Sequence, residues 1–87
     1  MTDALIVFCT CSGRDEALKL ARAIVSEEVA ACVNMVPLVE SVYRWEGKIE
    51  SAQEILLLIK TTRERFGALQ DLIVRLHSYD TDRKSVV

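Results

Sequence analysis

Apolar residues change their period several times along this 87-residue chain, and each change marks an element. Ala4 to Thr10 is an unbroken β-rich apolar run, of the length of a strand buried on both faces, which predicts a central strand. Helical spacing follows. Ala17, Leu20, Ala21 and Ile24 share one face, and Ser12 stands three residues before Asp15 in the manner of a capping box, so a helix is expected from about Gly13 to Glu28. From Ala30 the period returns to two, through Cys32-Val33-Asn34-Met35-Val36. Pro37 lacks an N–H for the ladder and confines that strand to a sheet edge or a bulge. Residues 38 to 61 then read as one long β-hairpin tipped by Trp45. Its turn is Glu46-Gly47, with Gly47 free to take positive φ, and the chain returns through Ile55-Leu56-Leu57-Leu58-Ile59. Thr61 followed by Glu64 is a second capping pattern, and Phe66, Leu69, Ile73 and Leu76 mark one face of a helix ending near His77. The order β-α-β-β-α is the split βαβ arrangement without its final strand, an α+β ferredoxin-like sandwich.

The hairpin is apolar on both sides near its base. An unbroken register from the Glu46-Gly47 turn places Val36, Leu38, Ile55, Leu57 and Ile59 on one face and Val33, Met35, Val39, Leu56 and Leu58 on the other. Two helices on right-handed crossovers cover one face only. The other needs a second copy of the chain, because the hydrophilic Thr81-Asp82-Arg83-Lys84 is a poor cover. Tyr43 and Trp45 near the tip add amphipathic rings of the kind found in interface cores.

Composition sharpens this. Hydrophobic residues make up 51%, high for a single small domain and consistent with a partner. The net charge is −2 with cations scattered, so no basic stripe for nucleic acid is present. Ala4 to Phe8 is too short to span a bilayer and has no positive flank, which argues against a membrane role. Three cysteines cannot all pair with one another, and reduced thiols in a cytoplasmic protein are the default.

Those thiols carry the candidate chemistry. Cys9 and Cys11 are two apart in an extended segment, so they project from one side, beside a helix N-terminus that favours thiolate. His77 is the one imidazole in the chain, and sulfur with imidazole suits copper or zinc. Cys32 reads as a small buried hydrophobe. A nucleophilic cysteine with His77 as base would need an orienting third group and an oxyanion donor, and neither is legible, so no enzyme is expected. Glu46, Glu50 and Glu54 lie four apart along a strand, more than about 10 Å from one to the next at about 3.3 Å per residue, too far to share a site. Glu54, facing the apolar base, is expected to be buried and hydrogen-bonded.

Ala30-Ala31-Cys32-Val33-Asn34, then Ser41-Val42-Tyr43-Arg44-Trp45-Glu46-Gly47-Lys48-Ile49, then Glu54 with Leu57, Ile59, Lys60 and Thr61 strongly resemble the CutA divalent-cation tolerance family. The match runs in order from about Leu5 to Asp80. It implies a CutA-like domain over residues 1–79 and an atypical polar tail over 80–87, where the family's last strand and terminal helix have no counterpart. It also implies a PII-like homotrimer in which strands of neighbouring subunits continue one another's sheets. The resemblance further implies binding of copper (Cu²⁺) and other divalent cations, a contribution to metal tolerance, and no established reaction. Cys9 and His77 match positions in the family's proposed copper site, whereas Leu76 stands where some relatives carry a second histidine. The alternative function is a PII-like signalling scaffold that binds a small molecule or partner in inter-subunit clefts.

Overall fold

The computed structural model describes residues 3–77. The tail over 80–87, and the last residues of the expected domain, lie outside the described residues. Strand β1 (Ala4–Cys11) leads into helix α1 (Arg14–Ser26), then β2 (Cys32–Trp45) and β3 (Lys48–Thr62) form the hairpin, and a 3₁₀ turn at Arg63–Arg65 opens helix α2 (Phe66–Leu76). The sheet is antiparallel in the order β1-β3-β2. The central strand is therefore β3, and β1 is an edge among the described residues. Its burial alternates, with Val7, Cys9 and Cys11 inside while Ile6 is 52% exposed, so the expectation of burial on both faces fails. A run of apolar residues looks the same whether its second face meets its own helices or stands bare.

Both helices lie against one side of the sheet. Ala17, Leu20, Ala21 and Ile24 of α1 and Leu69, Leu72 and Ile73 of α2 close over Val7, Cys9, Cys11, Leu57 and Ile59. On α2, Leu72 takes the buried place expected of Leu76, which is 39% exposed. Neither capping box forms as read. Gly13 caps α1 with no side-chain bond, and Ser12 instead donates to Glu16 Oε1 at 3.0 Å. The second cap shifts by one residue: Thr62 Oγ1 accepts the Arg65 amide, while Thr61 is buried and donates to the Val29 carbonyl at 2.7 Å.

The hairpin turn is as expected. Trp45 pairs with Lys48, and Glu46 (φ 51°) and Gly47 (φ 80°) both take positive φ, the conformation of a two-residue turn matched to strand twist. Gly47→Ala is expected to cost about 1 kcal/mol in urea unfolding, because a Cβ is strained at that φ; an unchanged midpoint would show that the turn tolerates it.

Pro37 interrupts β2 as predicted, with a larger consequence. Val36 pairs with Leu56 but Val39 pairs with Glu54, so Pro37 and Leu38 together oppose Ile55 in a β-bulge, and Leu38 adopts φ 61°. One extra residue reverses the facing of everything on its far side. Val33 and Met35 thus pair with Ile59 and Leu57 and pack on the core, not opposite them as an unbroken register requires. Val36 goes to the other side with Leu56, Leu58, Ile6 and Phe8, where no described helix covers it.

Candidate metal centre

β1 brings Cys9 and Cys11 to the core side of the sheet because they alternate with Thr10, and each pairs with an apolar residue of β3, Leu57 and Ile55. α2 delivers the third group. His77 terminates the helix, its amide donating to the Ile73 carbonyl at 2.7 Å, and its extended backbone (ψ 131°) lets the imidazole turn inward. The side chain has no exposed surface. One donor atom each from Cys9, Cys11 and His77 lies within 4.8 Å of the others, so the two residues singled out from sequence meet, and Cys11 joins them. Cys32, half-buried, stands apart from this group.

The imidazole has a polar neighbour at each nitrogen. Nε2 lies 2.8 Å from the Thr10 carbonyl and 3.8 Å from Cys11 Sγ. A carbonyl only accepts, so Nε2 carries the proton and donates it. On the far side Nδ1 faces Glu16 Oε2 at 3.7 Å, and the same carboxylate takes the Ser12 hydroxyl. Glu16 was not legible as a site residue. Its signal was the i, i+4 spacing from Ser12 on the first turn of α1, which sequence alone also allows for a solvated pair.

Electrostatics overturn the expected thiolate. The Cys11 thiol is pushed far above its ordinary value by a hydrogen bond with Cys9, by burial, and by electrostatic interaction with Cys9, Glu16 and Glu54. These outweigh the nearby helix terminus. Glu54 is buried, as expected. A thiol held protonated only in the folded state stabilises the fold fully below its ordinary value of 9.0 and progressively less as pH rises beyond it, since the unfolded chain alone then releases the proton. Above that value, unfolding free energy is expected to fall by up to about 1.4 kcal/mol per pH unit more steeply for the wild type than for Cys11→Ala. Parallel slopes in chemical denaturation would contradict the assignment.

Glu16, His77 and Cys11 lie in the order carboxylate, imidazole, thiol, which supplies the third group that a nucleophilic centre needs. The arrangement does not work as one. Nε2 is occupied as a donor to Thr10, so it has no lone pair to take the Cys11 proton, and the thiol is sealed from solvent. What it offers is a set of soft donors around one point.

A three-stranded antiparallel sheet with two helices on one side and a hairpin drawn out at one end, enclosing two thiols and an imidazole, defines a small α+β protein of the ferredoxin-like, PII-like kind. The chain belongs to the CutA1 divalent ion tolerance protein family, whose profile matches residues 5–86. It is 46% identical over 77 residues to the chloroplastic protein CutA of Arabidopsis thaliana, covering 88% of this chain and 42% of that one. It is 43% identical over 74 residues to the divalent-cation tolerance protein CutA of Thermus thermophilus, covering 85% of this chain and 72% of that one. The chain thus spans less than half the length of the plant relative. The solved structure of the Thermus thermophilus divalent cation tolerance protein superposes with a TM-score of 0.89 at 39% identity, over 97% of this chain and 80% of that one. CutA from Xylella fastidiosa superposes with a TM-score of 0.92 at 38% identity, over 99% and 81%.

Proposed function

We propose that this protein binds copper and other divalent cations at Cys9, Cys11 and His77, and contributes to cellular tolerance of those ions as a non-enzymatic, cytoplasmic homotrimer. One observation carries the reading: three soft donors converge within 4.8 Å in a chain whose relatives are described as divalent-cation tolerance proteins. Their fit to a metal rests on donor chemistry, since thiolate and imidazole are the ligands copper and zinc prefer. His77 would bind through Nε2 after exchanging its bond to Thr10, with Nδ1–H then directed at Glu16, the carboxylate that commonly orients a metal-bound imidazole. Three cysteines with no disulfide among the described residues suit a reducing compartment. The trimer is supported by the bare side of the sheet, where Ile6, Phe8 and Val36 are exposed. No described helix is long and apolar enough to cross a membrane.

Titration with copper under anaerobic conditions tests the centre. Cys9→Ser and His77→Ala are each expected to weaken binding at least about tenfold; affinity unchanged in both would remove the proposed ligands. A second reading, a signalling scaffold for a small molecule, has in its favour a groove of about 550 Å³ between Ala4, Ala30, Lys60 and Arg65, within the size range of ligand sites. Native mass spectrometry separates the two, since three subunits carrying a metabolite and no metal would favour the scaffold.

A further inference from the structure

Copper has two biological oxidation states, and a donor set of two thiols and an imidazole distinguishes them. Copper(I) is soft and is satisfied by thiolate, thioether or imidazole at low coordination number. Copper(II) prefers a tetragonal set of nitrogen and oxygen donors, and zinc closes a tetrahedron of four. Here the side-chain donors within reach of one point, among the described residues, are two sulfurs and one nitrogen. Cys9, Cys11 and the His77 side chain all have zero exposed surface, so solvent has no path to a fourth position in this arrangement. Neither nearby carboxylate belongs to the group, and Glu16 lies on the far side of the imidazole at Nδ1, where it can orient the ring but not share an ion held at Nε2.

The spacing agrees. Donors about 2.0 to 2.3 Å from a common ion in a trigonal plane stand roughly 3.6 to 4.0 Å from one another. Cys11 Sγ and His77 Nε2 are already 3.8 Å apart, and since all the donor atoms lie within 4.8 Å of one another, closure by at most about 1 Å matches the plane.

We infer that the ion this centre holds most tightly is copper(I), in a three-coordinate site of two thiolates and one imidazole that Cys11 completes. The inference rests on the metal-binding reading above and adds the oxidation state and the third ligand. No electron moves in the step. The ion enters as the site opens, and each thiol then loses its proton to the water admitted with it and donates a sulfur lone pair to Cu⁺; the Nε2 proton is exchanged for one on Nδ1, and the freed Nε2 lone pair completes the set as the site closes.

The test is anaerobic competition of the full-length protein for Cu(I) against the chromogenic chelator bicinchoninate, run beside competition for Zn(II) and Co(II) against a divalent chelator. One Cu(I) per chain, held at least about a thousandfold more tightly than either divalent ion, is expected. Copper K-edge absorption should show two sulfurs and one nitrogen. Cys11→Ser should lower Cu(I) affinity at least about a hundredfold while leaving the folded circular dichroism spectrum, and the spectral readout on unsubstituted protein guards against a variant that fails to fold. Equal or tighter Zn(II) binding that His77→Ala abolishes would overturn the copper(I) assignment and leave the metal-binding function standing. Cu(I) bound with no sulfur beyond Cys9 would overturn the role of Cys11. No ion bound in any oxidation state would overturn both.

Discussion

Leu57→Ala will lower the unfolding free energy of this protein by about 2 to 5 kcal/mol, the range for truncating a large side chain in a packed core. Leu57 lies at the middle of the central strand, opposite Cys9 on β1 and Met35 on β2, and has no exposed surface. It therefore stands between both flanking strands on the helix side of the sheet, level with Cys9. Removing it leaves a cavity bounded by strands on both flanks, which cannot collapse without breaking ladder hydrogen bonds, so the upper half of that range is expected. For a domain of this size each kcal/mol shifts the melting midpoint by about 4 to 8 °C, so a fall of 10 °C or more should be plain in a thermal scan. A loss under about 1 kcal/mol would mean that the sheet is not the centre of the core.

The second large effect concerns the opposite side. Leu58→Lys places a charge between Phe8 and Asn34 on the side of the sheet that no described helix covers. In a lone subunit that position is only half-buried and the lysine ammonium reaches water, so the subunit stays folded. In an assembly closed over this side the ammonium is trapped without a partner, at a cost of several kcal/mol per subunit. Light scattering after size exclusion should therefore show the wild type as a multimer and Leu58→Lys as a single chain with an unchanged circular dichroism spectrum. A wild type that already runs as a clean monomer at micromolar concentration would sink the assembly reading.

Local chemistry was legible from residues close together in sequence. The turn at Glu46-Gly47, the helix of Ala17 to Ile24, and the interruption at Pro37 all follow from rules that act over a few residues, and each is present. What sequence withheld depends on summing such effects across space. The bulge was expected, but its size was not, and one residue decided which of Val33 and Val36 reached the core. Strand β1 misled because edge and centre differ in neighbours, not in composition. At the candidate site Cys9, Cys11 and His77 were legible as donor residues, and the fold brings one donor atom of each within 4.8 Å of the others. Glu16 was missed, because only the packing of α1 against the end of α2 sets it beside the imidazole. The charge state of the Cys11 thiol was misjudged for a related reason. The helix terminus is visible in sequence, whereas the hydrogen bond with Cys9, the burial and the two carboxylates that outweigh it are properties of the folded molecule.

The bulge at Pro37 and Leu38 gives the second strand a parity. Inward of it odd-numbered residues face the helices, and outward of it the even-numbered ones inherit that side, so the aromatic pair Tyr43 and Trp45 is brought round to the side that carries Val36. Losing one residue between positions 36 and 39, or gaining one, would leave every amino acid of the arm in place and turn the arm over. A change of two would leave its orientation intact. Length in this short stretch therefore behaves as a switch for the whole hairpin, and odd changes should be far less tolerated there than even ones.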